Sequence, residues 1–256
     1  MSVRQTSATD SVNVTVLGTG DAFSSHGRFT SGYLIESGGY RILMEAGPTI
    51  LASLKRAGIR PADIDLILIS HLHGDHFGGI PFLFLEYMYE SPRRRNLTIA
   101  GPRYLESRSW TLVRTMFPGT AAHTVARKTR FTVIEPNSRV RLGPVRVSAI
   151  RTPHMKRYKS LAFRIEIDGR TIVFSGDSGW TEDLVPFTAG ADLFLCECTY
   201  FESEHLDFHL NYPLLAKARD RLQVKRMVLT HLGREVLDRA SEVAIEMASD
   251  GMRIEV

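Results

Sequence analysis

A chain of 256 residues with 43% hydrophobic side chains is long enough to bury a full-sized core, and α/β or all-β chains of this length often form one domain. It has no apolar run of about eighteen residues, and its N-terminus, MSVRQTSATDS, has neither the basic start nor the apolar stretch of a signal peptide; a membrane-spanning helix is argued against and a cytoplasmic protein is expected. The net charge of +4 conceals segregation, because residues 91–160 hold 16 Lys and Arg against only Glu106 and Glu135, which predicts a basic face for an anionic partner, or else arginines scattered over a solvated surface.

Residues 1–11 read as a disordered or extended tail and 12–256 as a single domain. VNVTVLG (12–18) is the first strand. SGYLIESGGYRILMEAG then gives two β runs turning at Gly38-Gly39, and PTILASLKRAG a helix with Pro at its start and Gly58 at its end. DIDLILIS holds a near-continuous apolar run, as in a strand covered on both faces. GGIPFLFLEYMYE reads as a helix, LTIAG as a strand and PRYLESRSWTLVRTMF as a helix. Phe82, Leu85 and Tyr89 on one face of FLFLEYMYE, with Phe84 and Met88 on another, predict burial within the domain, with a homodimer surface as the alternative.

The second half is β-rich. RFTVIEP, VRLGPVRVSAIRTPH, SLAFRIEIDGRTIVFSGDSG and ADLFLCECTY supply strands, with a tight hairpin at Asp168-Gly169. Cys196 and Cys198 are too close for an unstrained disulfide and read as buried strand residues, which fits a reducing compartment. NYPLLAKARDRLQ (helix), KRMVLTHLG (strand) and REVLDRASEVAIEMA (closing helix) finish the chain. Two sheets packed face to face with helices outside is the expected architecture.

The stretch SHLHGDHFGG (70–79) puts three histidines and an aspartate within six positions, directly after the run IDLILI. A histidine ligates metal only when neutral and an aspartate only when ionised, so such a cluster is unfavourable without a cation and favourable with one. His71 and His73 can point together from an extended segment. Asp75 and His76 follow Gly74, which is expected to let the chain turn tightly, so one loop can address two metal positions. Further donors end later apolar runs: His154 after VSAIR, Asp177 after TIVFSG and His231 after RMVLT. All could converge on one sheet edge.

The ordered set HLHGDH, a lone His, GDSG and LTH resembles the metallo-β-lactamase superfamily. The resemblance implies an α/β fold, the four-layer αβ/βα sandwich, holding two divalent metal ions, usually zinc, sometimes manganese or iron. It implies His71, His73 and His154 at the first metal, Asp75, His76 and His231 at the second, and Asp177 bridging both. Glu45, in RILMEAG, stands where the superfamily usually has Asp in a supporting role, and is not counted as a ligand. Two cations about 3.5–4 Å apart lower the pKa of a shared water and hold substrate oxygens, so hydrolysis by a metal-bound hydroxide is the expected reaction.

LGTGDAFSSHGRFTSGYLIES is similar to the amino-terminal signature of ribonuclease Z and its phosphodiesterase relatives, and CECTY followed by FHLNY resembles the same branch. Gly18 and Gly20 read as turn geometry, since a phosphate loop would need more glycine. By that comparison His209 protonates the leaving oxygen with Glu197 as its orienting partner, and Asp75 joins them as a catalytic group. Structural or exposed roles are the competing reading of His209 and the preferred one for His26, His123 and His205. Ribonuclease Z carries a long arm between its third and fourth motifs, whereas here 23 positions separate His154 from Asp177, which argues against transfer RNA.

Arg151, Lys156, Arg157 and Lys159 flank His154, and Arg93–Arg95 follow the helix after the main motif. Arg forks match phosphate or sulfate oxygens, though the RRR run could equally be a solvated helix exit. The leading expectation is a dinuclear phosphodiesterase for an anionic, modest-sized phosphodiester or nucleotide. A carboxylic ester, lactone, thioester or sulfate ester hydrolase on the same metals is the second reading, and an inert metal-binding protein the third.

Overall fold

Alternation of apolar side chains builds two sheets whose inner faces meet. The computed structural model describes residues 11–203 and 207–256; apart from Ser11, the tail expected over 1–11 lies outside them, as does His205. In chain order, β1 (Asn13–Gly18), β2 (Gly32–Ser37) and β3 (Tyr40–Met44) form an antiparallel meander. Positive φ at both Gly38 (54°) and Gly39 (77°) suits the two-residue turn that joins β2 to β3. After α1 (Ile50–Arg56) come β4 (Leu66–Leu68), α2 (Gly74–Phe77), α3 (Ile80–Tyr89), β5 (Leu97–Gly101), α4 (Leu105–Met116), α5 (Ala122–Ala126) and β6 (Thr129–Val133). The second sheet opens with β7 (Ser138–Leu142), β8 (Val145–Thr152), β9 (Ser160–Ile167) and β10 (Arg170–Phe174). It is completed by β11 (Leu193–Glu197) and β12 (Arg226–Thr230), interleaved with α6 (Leu184–Thr188) and α7 (Tyr212–Leu222). After α8 (Arg234–Asp238), β13 (Arg253–Glu255) returns to pair with β1.

Among the described residues the sheet orders are β13-β1-β2-β3-β4-β5-β6 and β12-β11-β10-β9-β8-β7. Strands inside each sheet are covered on both faces. Leu66 and Leu68 of β4 join the core between the sheets, while Ile67 and Ile69 pack under α1 and α3 with Ile80, Leu83 and Phe84. In the second sheet Phe174 and Leu195 face the same inner core, while Val173, Phe194 and Cys196 face outward with Leu215 and Leu222 of α7. The four-layer αβ/βα sandwich follows from this doubled alternation. Cys196 and Cys198 are free and buried, as expected. Phe84 packs on Trp110 (ring centroids 4.9 Å) and Phe82 on Phe117 (5.5 Å), so α3 is largely consumed within the fold. Among the described residues no helix is long and apolar enough to cross a membrane.

The closing helix expected over 234–248 is corrected. It stops at Asp238, and the following chain runs beside β12, with Leu229 N–H donating to Glu246 O (2.8 Å) and Ala248 N–H to Leu229 O (2.8 Å). Val243, Ile245 and Met247, spaced by two, pack on the α7 side of the sheet, a strand-like period inside what read as a helical one.

Candidate metal centre

The motif residues leave β4 as an extension of the strand. Ile69 N–H donates to Ala100 O (2.9 Å) and Ser70 O accepts from Leu161 N–H of the second sheet (3.1 Å), so His71 emerges where the two sheets meet. The chain then turns by starting α2 at Gly74, whose φ is not positive; the tight glycine turn expected there is not what redirects it. Close approach is permitted instead by Gly47, where a Cβ would lie 1.9 Å from Asp75 O, and by Gly79, where one would lie 2.1 Å from Gly47 O. Glu45 (φ 62°) and His231 (φ 50°) are the non-glycine residues in the left-handed region beside the centre, a strain that persists only where the surroundings hold it.

The expected donors do converge, in two groups that share Asp177: His71, His73 and His154 with Asp177, and Asp75, His76 and His231 with Asp177. His71 Nε2 and His154 Nε2 lie 3.6 and 3.7 Å from Asp177 Oδ2. His231 Nε2 is 3.4 Å from both Asp75 Oδ2 and Asp177 Oδ2, and His76 Nε2 is 3.2 Å from Asp177 Oδ1. A tetrahedral shell with bonds of about 2.0–2.1 Å separates neighbouring donors by about 3.3–3.4 Å, so most of this spacing suits one cation per group. His73 Nδ1 and His154 Nε2, at 2.9 Å, are closer than that.

The far nitrogens fix which lone pairs face inward. His154 Nδ1–H donates to Phe208 O (2.7 Å) and His76 Nδ1–H to Glu45 Oε2 (3.1 Å). Thr199 Oγ1–H donates to Glu197 Oε2 (2.8 Å), so its lone pair accepts His231 Nδ1–H (2.8 Å). With Nδ1 committed as the donor in each arrangement, Nε2 is the nitrogen that a neutral ring would present to a cation, the usual outer support of a ligating histidine. His71 Nδ1 meets Ser70 Oγ (3.0 Å). His71 Nε2, His76 Nε2 and Asp177 Oδ1 are buried without hydrogen-bond partners, and a cation is the partner whose chemistry satisfies all three. Glu45 also accepts Ser70 N–H (2.8 Å), so it supports the motif at both ends, in the position where the superfamily resemblance implied Asp.

Electrostatics divides the two groups. Burial and neighbouring histidines lower His71, and burial likewise lowers His73 and His154. Burial would lower His76 and His231 too, but Asp177, with Asp75, overcomes it and raises both. Asp75 and Asp177 are held below the usual carboxylate range despite burial, Asp75 chiefly by His76 and Asp177 by His231, His76 and His71. Both carboxylates are therefore ionised, as ligation requires.

His209 sits beside the donors, its ring 4.8 Å from His154 and 5.4 Å from His231. Its Nδ1 meets Glu197 Oε1 (2.9 Å); burial lowers its pKa but the Glu197 carboxylate prevails and holds it up to about 9. Glu197 also accepts Ser178 N–H (2.8 Å) and Thr199 N–H (3.2 Å). Its oxygens are thus occupied by hydrogen bonds, which makes it an anchor rather than a further ligand. His26 is elsewhere, paired with Asp238 (2.8 Å), and His123 is exposed on α5. Thr199, Ser70 and the Phe208 carbonyl were not singled out from the sequence. The one available signal is adjacency to the motifs for Ser70 and Thr199.

The basic segment does not form one face. Lys156 and Arg157 are exposed in the loop that carries His154. Arg93 and Arg95 instead stand at the start of β4, a strand length from the motif: Arg93 donates to Pro61 O and Arg95 pairs with Asp65 (3.0 Å). Arg139 and Arg146 are spent on Glu166, and Lys159 on Glu135.

The fold is that of the metallo-β-lactamase superfamily, and the relatives place the chain among its metallo-hydrolases, on the ribonuclease Z-like branch. Residues 12–249 match the family described as "Anti-Pycsar protein Apyc1", and the chain belongs to that family. It is 26% identical over 225 residues to the "Probable metallo-hydrolase YhfI" of Bacillus subtilis (strain 168), covering 86% of this chain and 87% of that protein. The YhfI crystal structure superposes with a TM-score of 0.78, covering 96% of this chain and all of that one at 25% identity. Human tRNase Z, short form, superposes with a TM-score of 0.76 at 27% identity, covering 94% and 98%. A ribonuclease Z of Clostridium novyi (strain NT) is 25% identical, covering 87% and 89%.

Proposed function

We propose that this protein is a dinuclear phosphodiesterase acting on a phosphodiester or nucleotide of modest size. The observation that carries the reading is the sharing of Asp177 between two donor groups, with the His209–Glu197 pair alongside. Divalent ions there, zinc first and manganese or iron otherwise, would supply Lewis acidity and acidify a water towards neutrality. The chain's own residues supply the rest. Asp75, ionised against His76, helps fix the second group, and Lys156 and Arg157 offer exposed positive charge to an anion arriving beside His154. His209, protonated at neutral pH and oriented through Nδ1 by Glu197, can deliver its other proton to a leaving oxygen. Relatives named ribonuclease Z support phosphodiester chemistry. The short β9–β10 hairpin between His154 and Asp177 supports a substrate smaller than transfer RNA.

The test pairs metal content by mass spectrometry with turnover of bis(p-nitrophenyl) phosphate and a lactone panel. Near two metals per chain is expected, with phosphodiester turnover falling by about 100-fold or more in Asp177→Ala. Turnover confined to lactones would sink the phosphodiester reading, and a protein that refuses metal would sink the site.

A further inference from the structure

At the end of β4 opposite the histidine motif, a cavity of about 240 Å³ lies between α3 and α5, walled in part by Tyr87, Met88, Arg93, Thr124, Val125 and Lys128. That volume is below the usual range for drug-sized ligands and leaves room for a smaller one. Arg93 is 4% exposed, so its charge has been taken almost wholly out of water. The guanidinium lies over the Tyr87 ring, 4.9 Å from its centroid, and donates to three backbone carbonyls: Nη2 to Ile64 O and to Asn96 O (3.5 Å), and Nη1 to Pro61 O (3.5 Å). Two of these three bonds are long, and Nε is buried without a partner.

Carbonyl oxygens offer only partial negative charge to this buried cation. The neighbouring Asp65 is spent on Arg95 (3.0 Å). Lys128 brings a second positive charge to the same cavity, its Nζ donating to Arg93 O. Among the described residues neither Arg93 nor Lys128 is in an ion pair. A buried cation without a counter-charge is costly to hold, and an anion in the cavity would offset that cost where two cations already meet. Much of the remaining wall is apolar, formed by Met88, Val125 and the Tyr87 ring. An inorganic anion would leave those surfaces uncovered, whereas a carboxylate carried on an apolar body answers both parts of the lining.

We propose that this cavity is a binding site for a small organic carboxylate, with the carboxylate between Arg93 and Lys128 and the apolar body against Met88, Val125 and Tyr87. The site is separate from the donor groups and does not depend on the phosphodiester reading.

Benzoate is the probe, with benzamide as its uncharged counterpart and acetate as the charged head without the body, each titrated calorimetrically into the metal-loaded protein. Benzoate should bind about tenfold tighter than either, because the charge and the apolar contact both contribute. Arg93→Met would disturb the fold along with the site, so the deciding variant is Lys128→Ala, at an exposed position. It should raise the benzoate Kd about tenfold, and Lys128→Arg should stay within about threefold of wild type. Asp177→Ala, which removes the residue common to both donor groups, should bind benzoate as wild type does. Loss of binding in Asp177→Ala would put the carboxylate on the metals and overturn the site. Benzoate no tighter than benzamide or acetate, or an affinity unchanged in Lys128→Ala, would overturn it equally. Lys128-dependent binding of inorganic phosphate without binding of benzoate would overturn the assignment to carboxylates.

Discussion

Thr199 has one proton and two lone pairs, and its partners decide the protonation of two histidines. Donation to Glu197 (2.8 Å) commits it to accept from His231 Nδ1 (2.8 Å), while His209 Nδ1 takes Glu197 Oε1 (2.9 Å). One carboxylate therefore serves both a candidate ligand and a candidate acid. If His209 is the acid, it acts protonated, so kcat/KM should fall as pH rises through its pKa of about 9. The Glu197 charge raises that pKa, so Glu197→Gln should move the alkaline fall towards the ordinary histidine value near 6.5. His209→Ala should cost about 10²–10⁴ in kcat with metal content kept. A pH–rate series on metal-matched preparations checks both, and an alkaline limb that stays put in Glu197→Gln would remove His209 from the acid role. The candidate donors were readable in the sequence because side chains able to ligate metal followed apolar runs, at His71, His154, Asp177 and His231. Their supports were not, since a threonine hydroxyl or the Phe208 carbonyl belongs to no distinctive pattern and becomes a partner only after folding. Glu45 lay between these cases: its position was noticed, but its grip on both Ser70 and His76 depends on a left-handed backbone that no local pattern announces.

Between β3 and α1 the chain passes beneath α2 so closely that side chains are excluded. Ala46 N–H donates to His76 O (2.6 Å), Gly79 N–H donates to Ala46 O (2.8 Å), and a Cβ on Gly47 would meet Asp75 O at 1.9 Å and Thr30 Oγ1 at 2.4 Å. Gly47→Ala must push α2, and Asp75 and His76 with it, away from the donors. Stability should fall by about 1–3 kcal/mol or more, and metal content should fall as well. Gly119→Ala is the control: its φ of 76° is unfavourable for alanine but its surroundings are open, so it should cost about 1–2 kcal/mol and leave metal content intact. Urea midpoints with metal analysis compare them, and normal metal loading in Gly47→Ala would show that the segment relaxes without disturbing α2. Elements with strong local chemistry were legible, including the turns at Gly38-Gly39 and Asp168-Gly169, each with positive φ at both positions. The 234–248 stretch was not, because its apolar residues satisfy two periods. Pairing of Leu229 with the 246–248 backbone, a contact remote in sequence, selects the extended one after Asp238.

The two sheets are joined first by their core, where Tyr33 of β2 packs at a tilt against Phe174 of β10 (centroids 5.3 Å) and its hydroxyl bonds Thr230 at the end of β12. They are joined again at the donor groups. His71, His73, Asp75 and His76 come from the segment after β4, whereas His154, Asp177 and His231 follow β8, β10 and β12, and each group draws on both sheets. A cation in either group is thus a cross-link between the halves of the sandwich, formed only when they are packed. Linkage then requires that metal stabilise the fold. For one site with free metal at about a thousand times Kd the gain is about 4 kcal/mol. In a chain of this size each kcal/mol moves Tm by about 2–4 °C, so chelation of the wild type should lower Tm by about 8–16 °C. Asp177→Ala, lacking the residue common to both groups, should lose most of that chelator-dependent shift. Phe163→Ala, which empties part of the inner core, should lower Tm with and without chelator while keeping the difference between them. Thermal unfolding of the three proteins with and without chelator is the measurement, and a wild-type Tm indifferent to chelation would mean that the halves hold together without help from the centre they form.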